Sequence, residues 1–526
     1  MGRNRCLTLS FGWAALVVLI GCGGGSVPPP PPPPDFSISV FPSSVSIGVG
    51  GITTPVTITV NPKNGFTGSV DIKLQGVPQE VTPSPSSSFS LAAGASQAVA
   101  FNVSTSTTGG TSSITVAATS GALSHNGNFG LTLLPPPLIH TFDTGTMLFL
   151  ETDTATETTR VGLLKSWGGS ITEVSLNGTN YVNSDDPGRQ IQTSLWDGDA
   201  NYTPNWGYNP IEAGDHFFQG SPLLANTLLP DSIYTKTQPI QWAPENFGGG
   251  PGNPVLGDAY IEKWISVVPG YNRVFKVHYK ITHFGTDTHT EALQELPVAY
   301  VNPNITNFLY YGGSAPWTNG ALTPFAAPGQ CCAHVHTPEQ WGAYVDSKNT
   351  GLALYTPGQF PQIQVFNAFS TLQLTPLCPF SWGPGTVLEF DTYILAGPVD
   401  QSRTAIYALH SQQSAPSPLP PWGALETPTA GDGLAGNANV GGWAWSLSQV
   451  ASVTVLVDGS VVASATLGIS RPDVTAIFPD APTNTGFQYS LDTTKFPNGS
   501  HAIIVKASDV NGKVATFKTA QVTISN

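Results

Sequence analysis

Apolar and polar residues alternate in short segments near the start of the chain. Turn signals such as Asn64-Gly65 and Gly109-Gly110 separate these segments, which are residues 36–40, 56–60, 70–74, 98–103 and 113–116. Because successive side chains of a strand point to opposite faces, this pattern predicts half-buried strands. Strands of this length and spacing over residues 35–134 indicate a β-sandwich of immunoglobulin type.

The end of the chain repeats the pattern. Segments 453–457 and 502–507 alternate, and Asp458-Gly459 and residues 509–512 provide turns. We therefore predict a second sandwich over residues 423–526.

The long middle part, residues 139–412, is different in character. Clear alternation occurs at residues 274–281 and 387–395, and a short helix is predicted at 402–410, capped by Asp400. The remainder consists of long connections rich in Gly and Pro, and such loops are where binding and catalytic residues concentrate. We expect a larger β-sandwich here, with the functional site in its loops.

Composition supports an all-β, multidomain chain. It has 526 residues, more than one hydrophobic core accommodates, with 56 Gly, 47 Pro and only 10% charged residues. Lys, Glu and Leu are too sparse for long amphipathic helices. The net charge is -14, and the 19 basic residues form no cluster. We therefore expect no nucleic-acid partner, which would need a basic face.

The N-terminus predicts export. Arg3 and Arg5 precede an apolar run at 11–20 that is too short to span a bilayer, for which about 20 residues are needed. The run Leu19-Ile20-Gly21-Cys22 resembles the bacterial lipobox, which implies a signal peptide at 1–21 and a lipid on Cys22. A plain signal peptide is the alternative. Residues 22–34 form a Pro-rich linker. We expect a lipid anchor in the outer membrane or at the cell surface.

Three cysteines remain in the mature chain after export. One disulfide from Cys378 to either Cys331 or Cys332 is expected outside the cytoplasm, leaving one thiol over. The run from Cys331 to His336 lacks a second cluster of the kind that zinc sites use. No phosphate-binding loop or zinc-protease helix is present, so we predict no cofactor and no metal.

Polar and aromatic residues are densest between Asp185 and His216. Aromatic rings stack on the apolar faces of sugars, and planar polar groups bind their hydroxyls, so this segment favours a sugar-binding cleft. An ordinary folded loop, whose polar residues bond its own backbone, is the alternative. The predicted ligand-binding residues are Asp186, Arg189, Trp206, Asp215, Trp317 and Trp341.

Histidines and carboxylates cluster further along the chain. His278, His283 and His289 lie close together in sequence, with Asp287, Glu291 and Glu295 beside them. Such groups exchange protons near neutral pH as general acid and base. We predict His283, Glu295 and His216 as catalytic residues. His278 alternates with lysines on a strand, so a solvent-facing position is the alternative for it.

Both ends of the chain resemble immunoglobulin-like domains of bacterial surface proteins. The resemblance rests on residues 64–70 with Gly76-Val77-Pro78, and on residues 498–501 with Ala507-Ser508-Asp509. It implies spacer or adhesive modules without catalytic residues.

The middle part resembles the β-supersandwich domain of galactose mutarotase and related polysaccharide-active enzymes. Residues 167–171, the turn Leu176-Asn177-Gly178 and residues 390–393 carry the likeness. The resemblance implies a concave face lined by an Arg, a His and carboxylates, to which Arg189, His216, His283 and Glu295 correspond. The motifs around the mutarotase catalytic histidine are not matched, so only the fold and a sugar-class ligand are transferred.

The sequence therefore predicts a surface-anchored lipoprotein whose central sandwich binds or processes a carbohydrate. An enzyme of this kind would be an epimerase, a lyase or a hydrolase. The alternative is a non-enzymatic adhesion or scaffold lipoprotein that binds a protein partner.

Overall fold

The computed structural model describes residues 31–104, 109–198, 207–325, 333–368, 371–413 and 417–526. Within them the chain is nearly all β, which confirms the predicted class. The strands form three consecutive groups of two sheets each, and two of the three apolar core clusters extend across a boundary between groups.

The first group is the N-terminal sandwich. One of its sheets has the order β1-β3-β7-β5 and the other has the order β2-β9-β8-β4-β6. Its strands are β1 Asp35–Phe41, β2 Ser44–Gly48, β3 Val56–Lys63, β4 Ser69–Gln75, β5 Val81–Ser84, β6 Ser88–Ala92, β7 Ser96–Val103, β8 Gly110–Ser120 and β9 Leu123–Leu134.

The second group is the central sandwich. Its strands are β10 Leu138–Asp143, β11 Met147–Asp153, β12 Thr158–Leu164, β13 Ser170–Leu176, β14 Thr179–Asn180, β15 Ile191–Ser194, β16 Pro210–Ile211, β17 Leu223–Leu229, β18 Ser232–Thr237, β19 Ile240–Gln241, β20 Ala259–Val267, β21 Val274–His283, β22 His289–Val301, β23 Asn307–Tyr310, β24 Thr323–Pro324, β25 Ala333–His336, β26 Trp341–Val345, β27 Thr350–Tyr355, β28 Gln362–Ala368, β29 Thr371–Pro376, β30 Cys378–Trp382 and β31 Val387–Pro398. Short 3₁₀ turns lie at Lys165–Trp167 and Pro244–Phe247.

These strands form two large sheets. The main path of the first is β10-β11-β12-β13-β15-β22-β29-β28-β25, and the second runs β17-β18-β20-β21-β31-β27-β26-β23-β24. Alternate side chains of β21 point between the sheets, so Val277, Tyr279 and Ile281 are fully buried. The facing apolar surfaces of the two central sheets thus form one core. This packing holds in place the sheet that carries the site.

The third group is the C-terminal sandwich. Its sheets have the orders β32-β34-β38-β37 and β33-β41-β39-β35-β36. Its elements are β32 Trp422–Thr427, β33 Gly433–Leu434, β34 Asn437–Trp445, β35 Val450–Val457, β36 Ser460–Ser464, β37 Thr466–Ile469, helix α2 Pro472–Ile477, β38 Gly486–Asp492, a 3₁₀ turn Thr493–Lys495, β39 Gly499–Asp509, β40 Val514–Thr516 and β41 Ala520–Ile524.

The prediction that most of residues 139–412 are long connections is wrong. Strands such as β26 and β29 are buried at every position, so they lack the period-two alternation that marks a half-buried strand. The alternating strands β21 and β31 were predicted because one of their faces is less buried.

The predicted helix exists, but its cap does not. Helix α1 covers Val399–Ser411, and its N-cap residue is Pro398, which provides no capping side chain. Asp400 lies in the first turn, where a carboxylate favours the helix dipole instead. Ala405, Ile406 and Leu409 are buried as expected.

The predictions that rest on three of the cysteines concern residues outside the described ranges. Cys22, Cys331 and Cys332 lie there, so the lipid anchor and the disulfide stay predictions. Cys378 lies in β30 as a buried thiol. Among the described residues, no helix is both long and apolar enough to cross a membrane.

Candidate active site

A cleft of about 860 Å³, hereafter the central cleft, opens beside β22, β28 and β29. It is lined by Asp186, Gly188, Arg189, Trp196, Gly198, Trp242, Glu291, Ala292, Leu293, Gln294, Glu295, Tyr300, Gln364, Phe366, Thr371, Gln373, Thr375 and Leu377. Three predicted site residues, Asp186, Arg189 and Glu295, therefore lie in one cleft.

The guanidinium group of Arg189 is held in place at this cleft. It donates to the carboxylate of Asp186 and to Thr371 Oγ1, the latter at 3.3 Å. Asp186 also accepts a bond from the Gly188 backbone N–H at 2.9 Å, which closes a tight turn. Because the turn fixes Asp186, it also fixes the orientation of the arginine.

The same turn contains a strained residue. Gln190 has a φ of +116° although it is not glycine, and its amide donates to the Asp186 carbonyl. Its side-chain oxygen Oε1 is buried without a partner among the described residues. Backbone strain of this kind is retained where the surrounding structure fixes it, often at functional sites.

Aromatic rings give the cleft its apolar surface. The half-buried rings of Trp196, Trp242 and Phe366 all line it. Trp242 packs so closely on Gly188 that a Cβ added there would lie 2.6 Å from the indole. Glycine at position 188 therefore sets how deep the ring sits.

Two carboxyl groups of β22 lie in the cleft and are desolvated. Burial raises the pKa of Glu295 to about 7, against a hydrogen bond from Gln373 that lowers it. Burial also raises the pKa of Glu291 well above its usual range. Glu291 accepts one bond from the Gly423 N–H at 3.2 Å, and its Oε2 has no partner among the described residues.

His216 lies near the cleft rather than in its lining. Its Nε2 is 3.0 Å from Glu245, and its ring centre lies 5.8 Å from that of Trp242. The neighbouring Asp215 is fully buried and accepts bonds from the Phe217 and Gln219 backbones at 3.0 and 2.9 Å. It holds a turn and does not line the central cleft.

Trp317 and Trp341 are not in the central cleft. The ring of Trp317 stacks on His410 at 3.5 Å, and Trp341 is fully buried and donates to Glu339 at 2.9 Å. The latter carboxylate also pairs with Arg403 on α1. Trp341 cannot stack on a ligand because it is packed in the core. Trp206, the remaining predicted ligand-binding residue, lies outside the described residues.

His283 belongs to a second group of residues, hereafter the histidine cluster, which consists of Asp258, His283, Asp287 and His289. Both histidines are almost fully buried, whereas Asp287 is 62% exposed. His278, predicted near them by sequence, instead pairs with Asp391 at 2.8 Å on the outer face of β21.

The charges of the histidine cluster shift its pKa values. Burial lowers the pKa of His289, but hydrogen bonds to Asp197 and Asp258 outweigh this effect and raise it to about 9. Burial raises the pKa of Asp258, and hydrogen bonds from His283, His289 and Tyr208 reverse this and hold it well below its usual range.

One short segment joins the two groups of residues. Trp196 and Gly198 line the central cleft, and Asp197 between them accepts bonds from His289 Nδ1 and Thr290 N–H at 3.0 and 3.1 Å. The histidine cluster therefore supports one wall of the cleft.

Sequence reasoning missed Asp258 and Trp242 as site residues, and it named Glu291 only as a carboxylate beside the histidines. Asp258 precedes β20 and meets His283 because β20 pairs with β21, with Ala259 opposite His283. The distance in sequence gives no hint of this register. Glu291 likewise contacts the backbone of Gly423, which lies far along the chain.

The chain matches no family model. It matches no curated protein. Among solved structures, it is similar to a polysaccharide lyase at 10% identity, covering 70% of this chain and 46% of that one, with a TM-score of 0.28. The chain thus spans less than half of the lyase.

Two other similar structures have lower TM-scores. The cycloalternan-forming enzyme of Listeria monocytogenes, in complex with a pentasaccharide, is 10% identical, with 68% of this chain and 30% of that one covered and a TM-score of 0.18. The ICAM-5 D1–D4 ectodomain fragment is 10% identical, with 93% and 100% covered and a TM-score of 0.14.

Proposed function

We propose that this protein is a surface lipoprotein that binds a carbohydrate in the central cleft and acts on it through Glu295. The proposal includes a lipid on Cys22 and three domains at 35–134, 139–412 and 423–526. It also includes the likeness of the central domain to the galactose mutarotase β-supersandwich.

The observation that carries the proposal is the position of Glu295 among aromatic and planar polar groups. Trp196 and Trp242 offer ring faces for stacking, and the Arg189–Asp186 pair offers donors and acceptors for hydroxyl groups. The cleft volume of about 860 Å³ suits a ligand of several sugar rings better than a small metabolite.

The raised pKa of Glu295 gives it a chemical role. A carboxyl group that titrates at about 7 is partly protonated at neutral pH, so it can donate a proton to a departing sugar oxygen. Glu291 supplies a second carboxyl group in the same cleft. Paired carboxyl groups are what most glycoside hydrolysis uses.

Binding is tested with a panel of polysaccharides immobilised on an array. Replacing Trp242 with Ala should weaken binding roughly tenfold or more, because a stacked ring contributes on the order of 1 kcal/mol beyond its buried area. Trp264→Ala is the matched control, since Trp264 is also half-buried but packs against Tyr234 and His278 outside the cleft. Equal binding by both variants would contradict the proposed cleft.

Catalysis is tested on whichever polysaccharide binds. Glu295→Gln keeps the shape of the side chain but removes its proton chemistry, so turnover should fall roughly 100-fold or more while binding persists. Glu389→Gln on β31 is the control, because that carboxylate is exposed on the opposite sheet. New reducing ends, unsaturated sugars or altered anomers would distinguish a hydrolase, a lyase and an epimerase. Binding without turnover would make the protein a carbohydrate-binding module.

The anchor is tested separately by fractionation. Cys22→Ser should move the protein from the membrane fraction to the soluble envelope fraction and abolish labelling by fatty acid, since the thiol carries the lipid. Membrane association that survives Cys22→Ser would contradict the lipoprotein assignment and leave the cleft unaffected.

A further inference from the structure

Two imidazole nitrogens and two carboxylate groups converge in the histidine cluster. Asp258 Oδ2 lies 3.1 Å from His283 Nε2 and 3.3 Å from His289 Nε2, and the Asp287 oxygens lie 3.7 Å from the same nitrogens. Donor atoms around a tetrahedral zinc ion, with bonds of about 2.0–2.1 Å, lie roughly 3.3 Å apart. The spacing of the four side chains is thus close to that of a zinc site.

Neighbouring groups orient each buried donor toward the centre of the cluster. His283 Nδ1 faces the Gly383 carbonyl at 2.8 Å, and His289 Nδ1 faces Asp197 Oδ2 at 3.0 Å. Because an acceptor faces each Nδ1, a neutral ring would carry its proton there and would turn its Nε2 lone pair toward the centre of the cluster. Metal-binding histidines are held by outer partners of this kind.

The carboxylate of Asp258 is oriented in the same way. Its Oδ1 accepts a bond from the Tyr208 hydroxyl at 2.6 Å, which leaves Oδ2 directed at both Nε2 atoms. Lone pairs of a carboxylate and two imidazoles that face one another repel unless a cation lies between them. Either protons on both histidines or one metal ion would meet this requirement.

Gly285 brings the backbone close to three of these donor atoms. A Cβ added to this glycine would lie 2.5 Å from Asp258 Oδ2, 2.7 Å from Asp287 Oδ1 and 2.7 Å from His283 Nε2. Any side chain at this position would therefore displace the three donor atoms, so their convergence requires glycine here.

We propose that Asp258, His283, Asp287 and His289 bind one Zn²⁺ ion as a structural site. Mixed nitrogen and oxygen donors suit zinc, whereas calcium takes six to eight oxygens. With four protein ligands the ion ties the turn between β21 and β22 to Asp258 at the start of β20. Through Asp197 it also stiffens the wall of the central cleft that contains Trp196.

The test is zinc binding by the full-length protein, so it does not depend on any carbohydrate activity. After chelator treatment and dialysis, titration with Zn²⁺ should show one ion per chain by calorimetry and elemental analysis. Binding should raise the melting temperature by several degrees, because a ligand that binds only the folded state stabilises it. It should also release protons from the histidines.

Gly285→Ala is the decisive variant, because it keeps all four ligands but places a Cβ that would push three of their donor atoms apart. Its zinc affinity should fall at least about 100-fold. Gly250→Ala is the control, since a Cβ at that glycine meets nothing within 4 Å. Asp287→Asn removes the exposed ligand with little risk to folding and should weaken binding about tenfold or more.

Two results would overturn the proposal. One is a wild-type chain that takes up no stoichiometric Zn²⁺, in which case protons on His283 and His289 are the cations of the cluster. The other is wild-type zinc affinity in Gly285→Ala, which would place any bound zinc elsewhere.

Discussion

At the residue scale, Glu295 links the stability of the protein to pH. Its folded-state pKa of about 7 is above its ordinary value of 4.5, so between these values the folded state holds a proton that the unfolded state releases. The free energy of unfolding should therefore fall as pH rises through this window. Urea unfolding between about pH 4 and about pH 8 should show this slope, and Glu295→Gln should flatten it.

The slope should not vanish in Glu295→Gln. Glu291 also has a raised pKa and contributes a pH dependence of the same sign. Glu389→Gln should keep the wild-type slope, because that side chain is half exposed on the other sheet. An unchanged slope in Glu295→Gln would mean that this carboxyl group is solvated in the folded protein.

Gly188 determines how closely the Trp242 ring packs in the central cleft, although it has no side chain. Gly188→Ala would force the Trp242 ring outward, since the new Cβ would lie 2.6 Å from it. We expect a stability loss of about 1–3 kcal/mol from overpacking, together with weakened carbohydrate binding. Both are measurable by urea unfolding and array binding. Gly110→Ala, which meets nothing within 4 Å, should change neither.

At the element scale, burial decides which strands a sequence reveals. Strand β21 alternates because one of its faces is less buried, and its prediction at 274–281 is confirmed within two residues of its end. Strands β26 and β29 are enclosed on both faces and carry no such signal. The same reason hides part of the cleft from the sequence. Gln373 lies on β29 and contacts Glu295 on β22, a strand that pairs with β29.

The part of the site that the sequence predicts consists of residues close together along the chain. Asp186 and Arg189 were found because a tight turn brings residues three apart together. Asp258 and His283 meet through strand register instead, and register depends on the whole sheet. Long-range pairing therefore separates the residues that sequence reasoning found from those that it missed.

A buried ion pair between Lys263 on β20 and Glu212, directly after β16, ties the two central sheets together. Lys263 and Glu212 are both fully buried; the lysine donates to Glu212 and, at 2.7 Å, to the Gly169 carbonyl. Lys263→Met should destabilise the protein by about 3–5 kcal/mol, because it leaves an unpaired buried carboxylate. Urea unfolding measures this loss.

A double variant separates charge from packing in this pair. Adding Glu212→Gln to Lys263→Met removes the unpaired charge and should recover part of the lost stability. Lys276→Met on β21 is the control, since its pair with Asp391 lies at the surface and should cost about 1 kcal/mol or less. Equal losses at positions 263 and 276 would show that water reaches the buried pair.

At the scale of the whole molecule, the N-terminal and central sandwiches touch through two glycines. The Gly48 N–H donates to the Gly270 carbonyl at 3.1 Å, and the Tyr271 hydroxyl donates to the Ile52 carbonyl at 2.7 Å. Apolar residues of both sandwiches share one core cluster around this contact. We therefore expect the two sandwiches to unfold together.

Gly48→Ala tests this coupling because the change acts on the contact and not on the strand. Gly48 lies at the end of β2 with ordinary backbone angles, but its Cβ would lie 2.5 Å from the Gly270 oxygen, so the two sandwiches would have to separate. Calorimetry should then resolve a separate, earlier transition for the N-terminal sandwich, whose own core is intact. Gly130→Ala, on the strand paired with β2, meets its nearest atom at an ordinary 3.6 Å and should keep the wild-type profile. If Gly48→Ala also kept that profile, the contact would contribute nothing to cooperativity, and the N-terminal sandwich would act as an independent spacer.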